Sequence, residues 1–299
     1  MRKFIVQITI LSILVLVAFA LILSRANGYT DPFYIRFTTP KQQNLILGTS
    51  RAAQGVQPEV LKNAFNRNFN NYSFTIAHSP FGATYLESIK NKLDHDQKDG
   101  IFIITVDPWS ISSTTLSPND SLNFRELELC LSNTPKVDRD PNYTYLLRNL
   151  KGKYRELVIR KKAGLYLHND GWLEISINMD SAIAEKRIAE RVEMYRTTNL
   201  PYYQFSSLRL EYLQKTIEFL NQHGNVYLVR LPLHPDMMDI DNLLMPDFNE
   251  KIEQLAPQTK GYYDMTIFND EFSYTDGNHL YKESGKIVTN KIAKWIKEI

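Results

Sequence analysis

The sequence predicts a three-layer α/β domain with a parallel sheet, preceded by a helix that spans a membrane. Two observations lead to this prediction. Short apolar segments typical of buried strands alternate with segments typical of helices, which is the pattern of a parallel sheet covered on both faces. Ahead of them lies an apolar run from Phe4 to Leu23, which has the ~20 residues that a helix needs to cross a bilayer.

The N-terminal segment indicates where the protein resides. Arg2 and Lys3 precede the apolar run, which contains no charged residue and lacks the polar face of a core helix. The run exceeds the ~7 to 15 residues of a signal-peptide core, which favours a retained anchor, with a cleaved signal peptide as the alternative. Because basic residues stay on the cytoplasmic side, we expect a single-pass protein of the cell membrane with its C-terminal domain outside the cytosol.

Composition narrows the choice of partners and cofactors. Lysine plus arginine total 35 against 33 aspartate plus glutamate, so no charge excess points to nucleic acid. Cys130 is the one cysteine, which excludes an intramolecular disulfide framework and a multi-cysteine zinc site. We therefore expect no nucleic-acid partner, and we expect the chemistry to require neither a metal nor an organic cofactor. The one partner that the sequence indicates so far is the membrane, through the N-terminal helix.

The chain divides into an anchor at 1–25, a linker at 26–43 and an α/β domain at 44–299. The predicted elements of its first half are a strand at 44–47 ended by Gly48, a helix starting at Pro58, a strand at 72–77, a helix at 82–93 and a strand at 101–106. Proline suits the first turn of a helix. The last strand is the clearest, because it is apolar and rich in β-branched residues.

The regular alternation pauses at about 107–199, which is too long for an ordinary connection and predicts an insertion. One helix is expected within it, near 182–195. Beyond it, the predicted elements are a helix at 205–221, a strand at 226–231, a helix after Pro246 and a final helix at 279–297. Four residues of the final helix are expected on its core side: Ile287, Ile292, Ala293 and Ile296.

The first chemical motif is Leu47-Gly48-Thr49-Ser50-Arg51, directly after the first strand. In an open parallel sheet the carboxyl ends of the strands face the ligand crevice. Ser50 is therefore placed where a nucleophile or an anion-binding hydroxyl is useful. The alternative is that Ser50 only caps the following helix.

The second motif lies in the loop before the final helix, where Asp276 and His279 are three residues apart. At this spacing the carboxylate can accept a hydrogen bond from one imidazole nitrogen while the other points outward. A histidine held in this way can act as general base for a serine hydroxyl. The alternative is an aspartate that caps the last helix beside an exposed histidine.

A serine after the first strand, together with Asp-x-x-His before the last helix, resembles the SGNH (GDSL-like) superfamily of hydrolases and acyltransferases. The resemblance implies a flavodoxin-like three-layer fold, with Ser50 as nucleophile, His279 as general base and Asp276 as its orienting partner. That family builds its oxyanion hole from the serine amide, a glycine after the second strand and an asparagine after the third. Gly82 and Asp107 stand at the latter two places, and Thr49 replaces the family's aspartate.

Asp107 departs most from this pattern, because a carboxylate repels an oxyanion unless it is protonated or turned away. Arg51 could supply positive charge to an oxyanion or an acidic substrate, or form a structural salt bridge, with Asp107 as a candidate partner. Arg230 and His234, at the end of the fourth strand, are expected to line the same crevice. His234 is either a second base or an ordinary loop residue.

Gly-Thr-Ser-Arg with a membrane anchor and Asp107 in the third block resembles the anchored cell-envelope acyl-transfer proteins of that superfamily more than its secreted lipases. This branch includes the D-alanyl transfer protein of the teichoic acid pathway. The resemblance implies a serine esterase or O-acyltransferase that acts on an envelope glycan or acylated polymer through an acyl-serine. A non-catalytic binding or assembly protein of the same fold is the main alternative. Phosphate-ester chemistry beside Arg51 is a third, without a metal-ligand cluster to accompany it.

Overall fold

A five-stranded parallel sheet lies at the centre of the α/β domain. The computed structural model describes residues 1–159 and 164–299. Its strands are β1 Leu45–Leu47, β2 Asn70–Asn71, β3 Gly100–Thr105, β4 Ser112–Ser113, β5 Leu165–Leu167, β6 Leu173–Ile175, β7 Gln204–Phe205, β8 Gly224–Arg230 and β9 Tyr262–Asp264. The central sheet has the order β2-β1-β3-β8-β9. This order is that of flavodoxin-like sheets, whose ligand crevice lies at the carboxyl ends of the first and third strands.

Helices cover both faces of the sheet. The helices of the described residues, including the N-terminal helix, are α1 Arg2–Leu23, α2 Ser50–Gly55, α3 Pro58–Phe65, α4 Ala83–Lys92, α5 Cys130–Asn133, α6 Tyr143–Asn149, α7 Ser181–Met194, α8 Ser207–Asn221, α9 Pro235–Leu244, α10 Phe248–Glu253 and α11 Lys282–Glu298. Alternate residues of β3 divide the core, since Phe102 and Ile104 pack with α4 and α8, whereas Ile103 packs with α3 and α11. The predicted three-layer α/β arrangement is confirmed.

Most predicted elements are present, but the second strand was placed wrongly. The strand β2 covers only Asn70 and Asn71, before the predicted strand at 72–77. The N–H groups of Tyr72 and Phe74 still donate to carbonyls of β1 and of the turn that follows it, at 2.8 Å and 3.3 Å. Both side chains are also buried in the core. In the final helix Ile287 is 51% exposed, so its predicted core position is also wrong.

The segment predicted as a linker is packed into the domain. Tyr34–Phe37 forms a 3-10 helix whose four side chains are all buried. Arg36 donates from Nε to the Asn71 carbonyl at 2.8 Å and from Nη2 to the Gly171 carbonyl at 2.6 Å. Leu23, the last residue of α1, belongs to the same core. The domain therefore begins directly where the apolar helix ends.

The described residues of the predicted insertion, 107–159 and 164–199, lie between β3 and the crossover helix α8. They include the short strands β4, β5 and β6 and the helix α7, which was predicted within two residues of its bounds. α7 lies over the carboxyl edge of the sheet, where Val192 and Tyr195 pack against Trp109 and Met237. The insertion thus contributes directly to the region where a site was predicted.

The apolar run forms a continuous 22-residue helix, α1. It is long and apolar enough to cross a membrane. Its side chains from Phe4 to Val17 are largely exposed, while its last turn packs on the domain. An exposed face of this kind needs an apolar environment to cover it.

Candidate active site

The turn after β1 holds Ser50 at the carboxyl edge of the sheet. Gly48 has a φ of 145°, and a Cβ there would lie 1.9 Å from Thr105 Oγ1, so only glycine fits. Its carbonyl accepts a hydrogen bond from Ser79 Oγ at 2.7 Å. This bond ties the loop that follows β2 to the turn. Ser50 then begins α2, where its N–H has no acceptor within the helix.

Ser50, His279 and Asp276 form a connected set although the serine lies 229 residues from the histidine. Ser50 Oγ is 2.8 Å from His279 Nε2. His279 Nδ1 is 2.9 Å and 3.1 Å from the two carboxylate oxygens of Asp276. Each separation is a hydrogen-bond distance, and the order serine, imidazole, carboxylate is that of a nucleophile, a base and the group that orients the base.

The loop before α11 fixes the geometry of this set. Asp276 Oδ1 accepts the backbone N–H groups of Asn278 and His279, both at 3.1 Å. Gly277 between them has a φ of 81°, which favours glycine. Arg187 of α7 donates from Nε to the Thr275 carbonyl. The Asp276 carboxylate is therefore positioned by the backbone of its own loop, and that loop is in turn held by α7 of the insertion.

Asp276 is held in its ionised form. Burial alone would raise the pKa of this carboxyl, but the charge and hydrogen bond of His279, together with the Arg191 guanidinium, hold it well below its usual range. Arg191 Nε of α7 lies 3.1 Å from Asp276 Oδ2. Arg191 is 42% exposed while Asp276 is 11% exposed, so the pair joins a largely buried carboxylate to a partly exposed guanidinium.

Arg51 is buried and forms a structural pair, but not with Asp107. Its Nη1 and Nη2 bind Asp241 of α9 in a bidentate pair at 2.7 Å and 2.9 Å. The indole N–H of Trp109 donates to the same carboxylate at 2.6 Å. Arg51 Nε also donates to Asn278 Oδ1 at 3.0 Å. Arg51 thus links the nucleophile's helix to the residue beside His279, and its charge is directed at Asp241.

Asp107 follows β3 as predicted, but its carboxylate is turned into the protein. Oδ2 accepts a hydrogen bond from Thr49 Oγ1 at 2.8 Å, and Oδ1 accepts one from the Ser110 N–H at 2.9 Å. Asp107 thereby caps the 3-10 helix Pro108–Ile111. Burial raises the pKa of its carboxyl, against the opposing effect of the Arg51 charge. The predicted repulsion of an oxyanion is reduced, since the carboxylate is turned into the protein and both of its oxygens accept hydrogen bonds there.

Two residues expected to line the crevice have other contacts. Arg230 is buried, with Nη1 2.8 Å from Asn249 Oδ1 and 4.0 Å from Asp264 Oδ2. Its guanidinium also lies over the Phe248 ring at 4.7 Å. Its Nη2 lies 3.7 Å from Met238 Sδ of α9. None of these contacts is with Ser50, Asp276 or His279, and the crevice-lining role stays a prediction.

His234 is the N-cap of α9, and its Nδ1 accepts the Asp236 N–H at 3.3 Å. Its own N–H donates to the Gly277 carbonyl at 3.0 Å. His234 thus supports the loop that carries the catalytic candidates, while its ring is occupied as a cap. The use of Nδ1 as a cap favours the loop alternative over a second base.

Gly82 begins α4 beside a buried ion pair. A Cβ at this position would lie 3.0 Å from Glu126 Oε1 and 3.3 Å from Arg209 Nη1. These two side chains bind each other at 2.8 Å. The absence of a side chain at Gly82 therefore makes room for the pair, and the oxyanion role predicted for this glycine stays a prediction.

Sequence reasoning missed three polar residues of the site: Asp241, Asn278 and Arg191. Asn278 lies inside the Asp-x-x-His segment, so its place beside His279 could have identified it as a site residue. Its Nδ2 is 3.2 Å from the Tyr195 hydroxyl. Asp241 and Arg191 come from helices whose packing the sequence does not specify. Among the residues that the structure describes, no cluster of three or more histidine, cysteine, aspartate or glutamate side chains could hold a metal ion.

Comparison with known proteins gives a distant structural likeness. No family model and no curated protein matches this sequence. One similar solved structure is the acetyl xylan esterase Est2A from the rumen bacterium Butyrivibrio proteoclasticus, with a TM-score of 0.30 and 9% sequence identity. The match covers 87% of this chain and 64% of the esterase, so the chain spans less than two thirds of that protein. At these values the likeness carries no information about the residues of the site.

Proposed function

We propose that this protein is a membrane-anchored, extracytoplasmic serine esterase or O-acyltransferase of the SGNH type, acting on a cell-envelope glycan or polymer. Ser50 Oγ attacks the acyl carbonyl of an ester while His279 Nε2 takes the hydroxyl proton. The tetrahedral intermediate collapses, the ester bond breaks, and His279 returns the proton to the leaving alcohol. Water or a glycan hydroxyl then attacks the acyl-serine, again with His279 as base, and Ser50 is restored.

The observation that supports this proposal is the hydrogen-bonded series from Ser50 through His279 to Asp276. A serine hydroxyl is a weak nucleophile until a base at hydrogen-bond distance can take its proton. The 2.8 Å separation of Ser50 Oγ and His279 Nε2 meets that requirement. An ionised Asp276 holds the imidazole in one orientation and stabilises the imidazolium that forms.

The developing oxyanion needs donors near Ser50. The Ser50 N–H, in the first turn of α2, has no intrahelical acceptor and is available for this purpose. The turned Asp107 carboxylate leaves this position without a directed negative charge. These features favour an active enzyme over a binding protein that keeps only the fold.

Attachment to the membrane is supported by the way in which α1 meets the domain. Leu23 is buried, and Phe19 and Ile22 pack against the same core. Cleavage of α1 after targeting would remove part of this packing. Retention of α1, with the domain outside the cytosol, gives the enzyme access to envelope glycans and to acylated polymers.

A test of the reaction uses the full chain in detergent with p-nitrophenyl acetate. We expect a burst of p-nitrophenol stoichiometric with enzyme, followed by slow turnover, and an acetyl group on the tryptic peptide that contains Ser50. Ser50→Ala removes both signals. Adding short glycans then separates the two activities, because transfer yields an acetylated glycan and hydrolysis yields acetate.

Matched controls distinguish an activated serine from surface reactivity. Ser132→Ala and His95→Ala change exposed residues of the same types, and both are expected to retain the burst. His279→Ala is expected to abolish it. A folded wild-type protein that gives no burst with any acyl donor would refute the enzyme proposal and favour the binding or assembly alternative.

A further inference from the structure

The end of α1 is packed against one particular segment of the domain. The Tyr154 ring meets the Phe19 ring edge-on with their centroids 5.2 Å apart. Leu157 is buried in the same cluster as Leu23. Phe19 lies four residues before the end of α1, which is about 6 Å along the helix axis. Tyr154 therefore lies at the level of the last turn of α1. Because α1 is about 33 Å long and a bilayer core is about 30 Å thick, this level is close to the membrane surface.

The same segment exposes large apolar side chains to its surroundings. Leu147 is 57% exposed, Tyr154 41%, Val158 59% and Ile159 70%. Single exposed apolar residues are ordinary on a soluble surface. Four within thirteen residues, beside the end of an apolar helix, form a concentration that needs a partner.

The charges of the segment are strongly one-sided. Between residues 143 and 159 four basic residues, Arg148, Lys151, Lys153 and Arg155, accompany a single acidic residue, Glu156. All four basic residues are exposed. The whole chain, by contrast, has 35 basic and 33 acidic residues. Basic side chains around apolar ones, with a tyrosine at the boundary, match a surface of anionic lipid headgroups over acyl chains.

The chain between α1 and the domain leaves little freedom for the domain to move away from the membrane. The Leu167 N–H donates to the Gly28 carbonyl at 2.9 Å. The rings of Tyr29 and Tyr166 lie 4.6 Å apart. The segment that would be a flexible stalk is thus fastened to the β5–β6 hairpin, and the domain keeps one orientation relative to α1.

We propose that the exposed surface of residues 143–159 binds the lipid bilayer that α1 spans, so that the domain lies directly on the membrane at a fixed tilt. The inference rests on the membrane anchoring that is part of the proposed function. Val158 and Ile159 enter the interfacial region, and the basic side chains contact lipid phosphates. Ser50 is then held at a constant distance from the membrane, which restricts its substrates to envelope polymers that reach this height.

The test places an environment-sensitive NBD fluorophore at single engineered cysteines of the full chain. The native thiol does not interfere, because Cys130 is buried and burial raises the pKa of its thiol. Ile159→Cys probes the proposed surface. Ile287→Cys is the matched control, since this isoleucine is 51% exposed on the opposite face of the sheet. Leu14→Cys reports on α1, where the side chain is 60% exposed.

Each protein is labelled in detergent and reconstituted into vesicles of phosphatidylcholine and phosphatidylglycerol. We expect doxyl-labelled lipids to quench the fluorophores at positions 14 and 159, and aqueous iodide to quench the one at 287. If position 14 is quenched by lipid while 159 is quenched by iodide, the proposal is wrong although the anchor stands, and the surface is left to a protein partner. If position 14 is itself quenched by iodide, the anchoring proposal fails and this one fails with it.

Discussion

Replacing Arg51 with methionine should destabilise the domain through a charge left without its partner. Arg51 and Asp241 are 6% and 0% exposed, and they bind each other through two hydrogen bonds of 2.7 Å and 2.9 Å. Arg51→Met leaves the Asp241 carboxylate buried with the Trp109 indole as its remaining donor. Removing one partner from a buried ion pair costs about 3–5 kcal/mol, and we expect a loss of this size in the free energy of unfolding.

The double variant Arg51→Met/Asp241→Leu isolates the cause. It removes both charges and replaces them with apolar groups, an exchange that is often neutral for a buried pair. Two defects remain, because the Trp109 N–H loses its acceptor and Asn278 Oδ1 loses its donor, each at a cost of about 1–3 kcal/mol. Arg51→Met shares the second defect, so only the first is new in the double variant. The double variant should therefore be more stable than Arg51→Met although it carries more substitutions.

Urea unfolding, followed by near-ultraviolet circular dichroism, measures all three proteins in the same detergent. Burst kinetics with p-nitrophenyl acetate add a second readout, since the double variant still lacks the Arg51 contact with Asn278 and should acylate Ser50 more slowly than wild type. The reasoning is refuted if Arg51→Met loses less than about 1 kcal/mol, or if the double variant is as unstable as the single one.

Three further predictions concern titratable groups. Asp276→Asn should remain folded by circular dichroism but acylate Ser50 on the order of 10⁴-fold more slowly, since the histidine loses the acceptor that orients it; an unchanged rate would contradict the assigned role. Arg191→Gln should raise the pKa of Asp276 in the folded protein, because a nearby positive charge is lost. The ionised carboxylate stabilises the fold above its unfolded pKa, and this stabilisation is lost as pH falls through the folded pKa. The acid-unfolding midpoint should therefore move to higher pH, and an unmoved midpoint would argue against the contact. Lys92 is fully buried and its pKa is lowered to about 7, so between pH 7 and 10.5 the unfolded state binds one more proton than the folded state. The free energy of unfolding should therefore rise with pH in this range. Lys92→Met should flatten the rise by up to about 1.4 kcal/mol per pH unit, and urea unfolding that gives wild type and variant the same dependence on pH would contradict this.

Much of the architecture could be predicted from the sequence because hydrophobic patterns report burial directly. β3 is apolar and rich in β-branched residues, β8 is apolar over its central four residues, and both were located within two residues of their observed bounds. The second strand was predicted at 72–77 because Tyr72 and Phe74 carry the apolar signal. The regular pairing is made by Asn70 and Asn71, whose side chains give no strand signal, and the backbone of Tyr72 and Phe74 only continues it. A two-residue parallel pairing depends on its neighbour and has no local pattern of its own.

Part of the candidate site could likewise be predicted from the sequence, and part could not. The structure brings Ser50, Asp276 and His279 together, as the rule that ligands bind at the carboxyl ends of parallel strands leads one to expect. The partner of Arg51 could not be predicted, because Asp241 lies 190 residues away on α9. Likewise, Arg191 approaches Asp276 only through the packing of an insertion whose position the sequence does not define.

The central claim is that His279 activates Ser50, and labelling of the full chain with a fluorophosphonate probe tests it most directly. Mass spectrometry of the tryptic peptides locates the adduct without any assumption about the acyl group. The account predicts an adduct on Ser50 in wild type and in the control His95→Ala, and none in Ser50→Ala or His279→Ala. A folded wild-type protein without an adduct, or labelling of Ser50 that persists in His279→Ala, would contradict it.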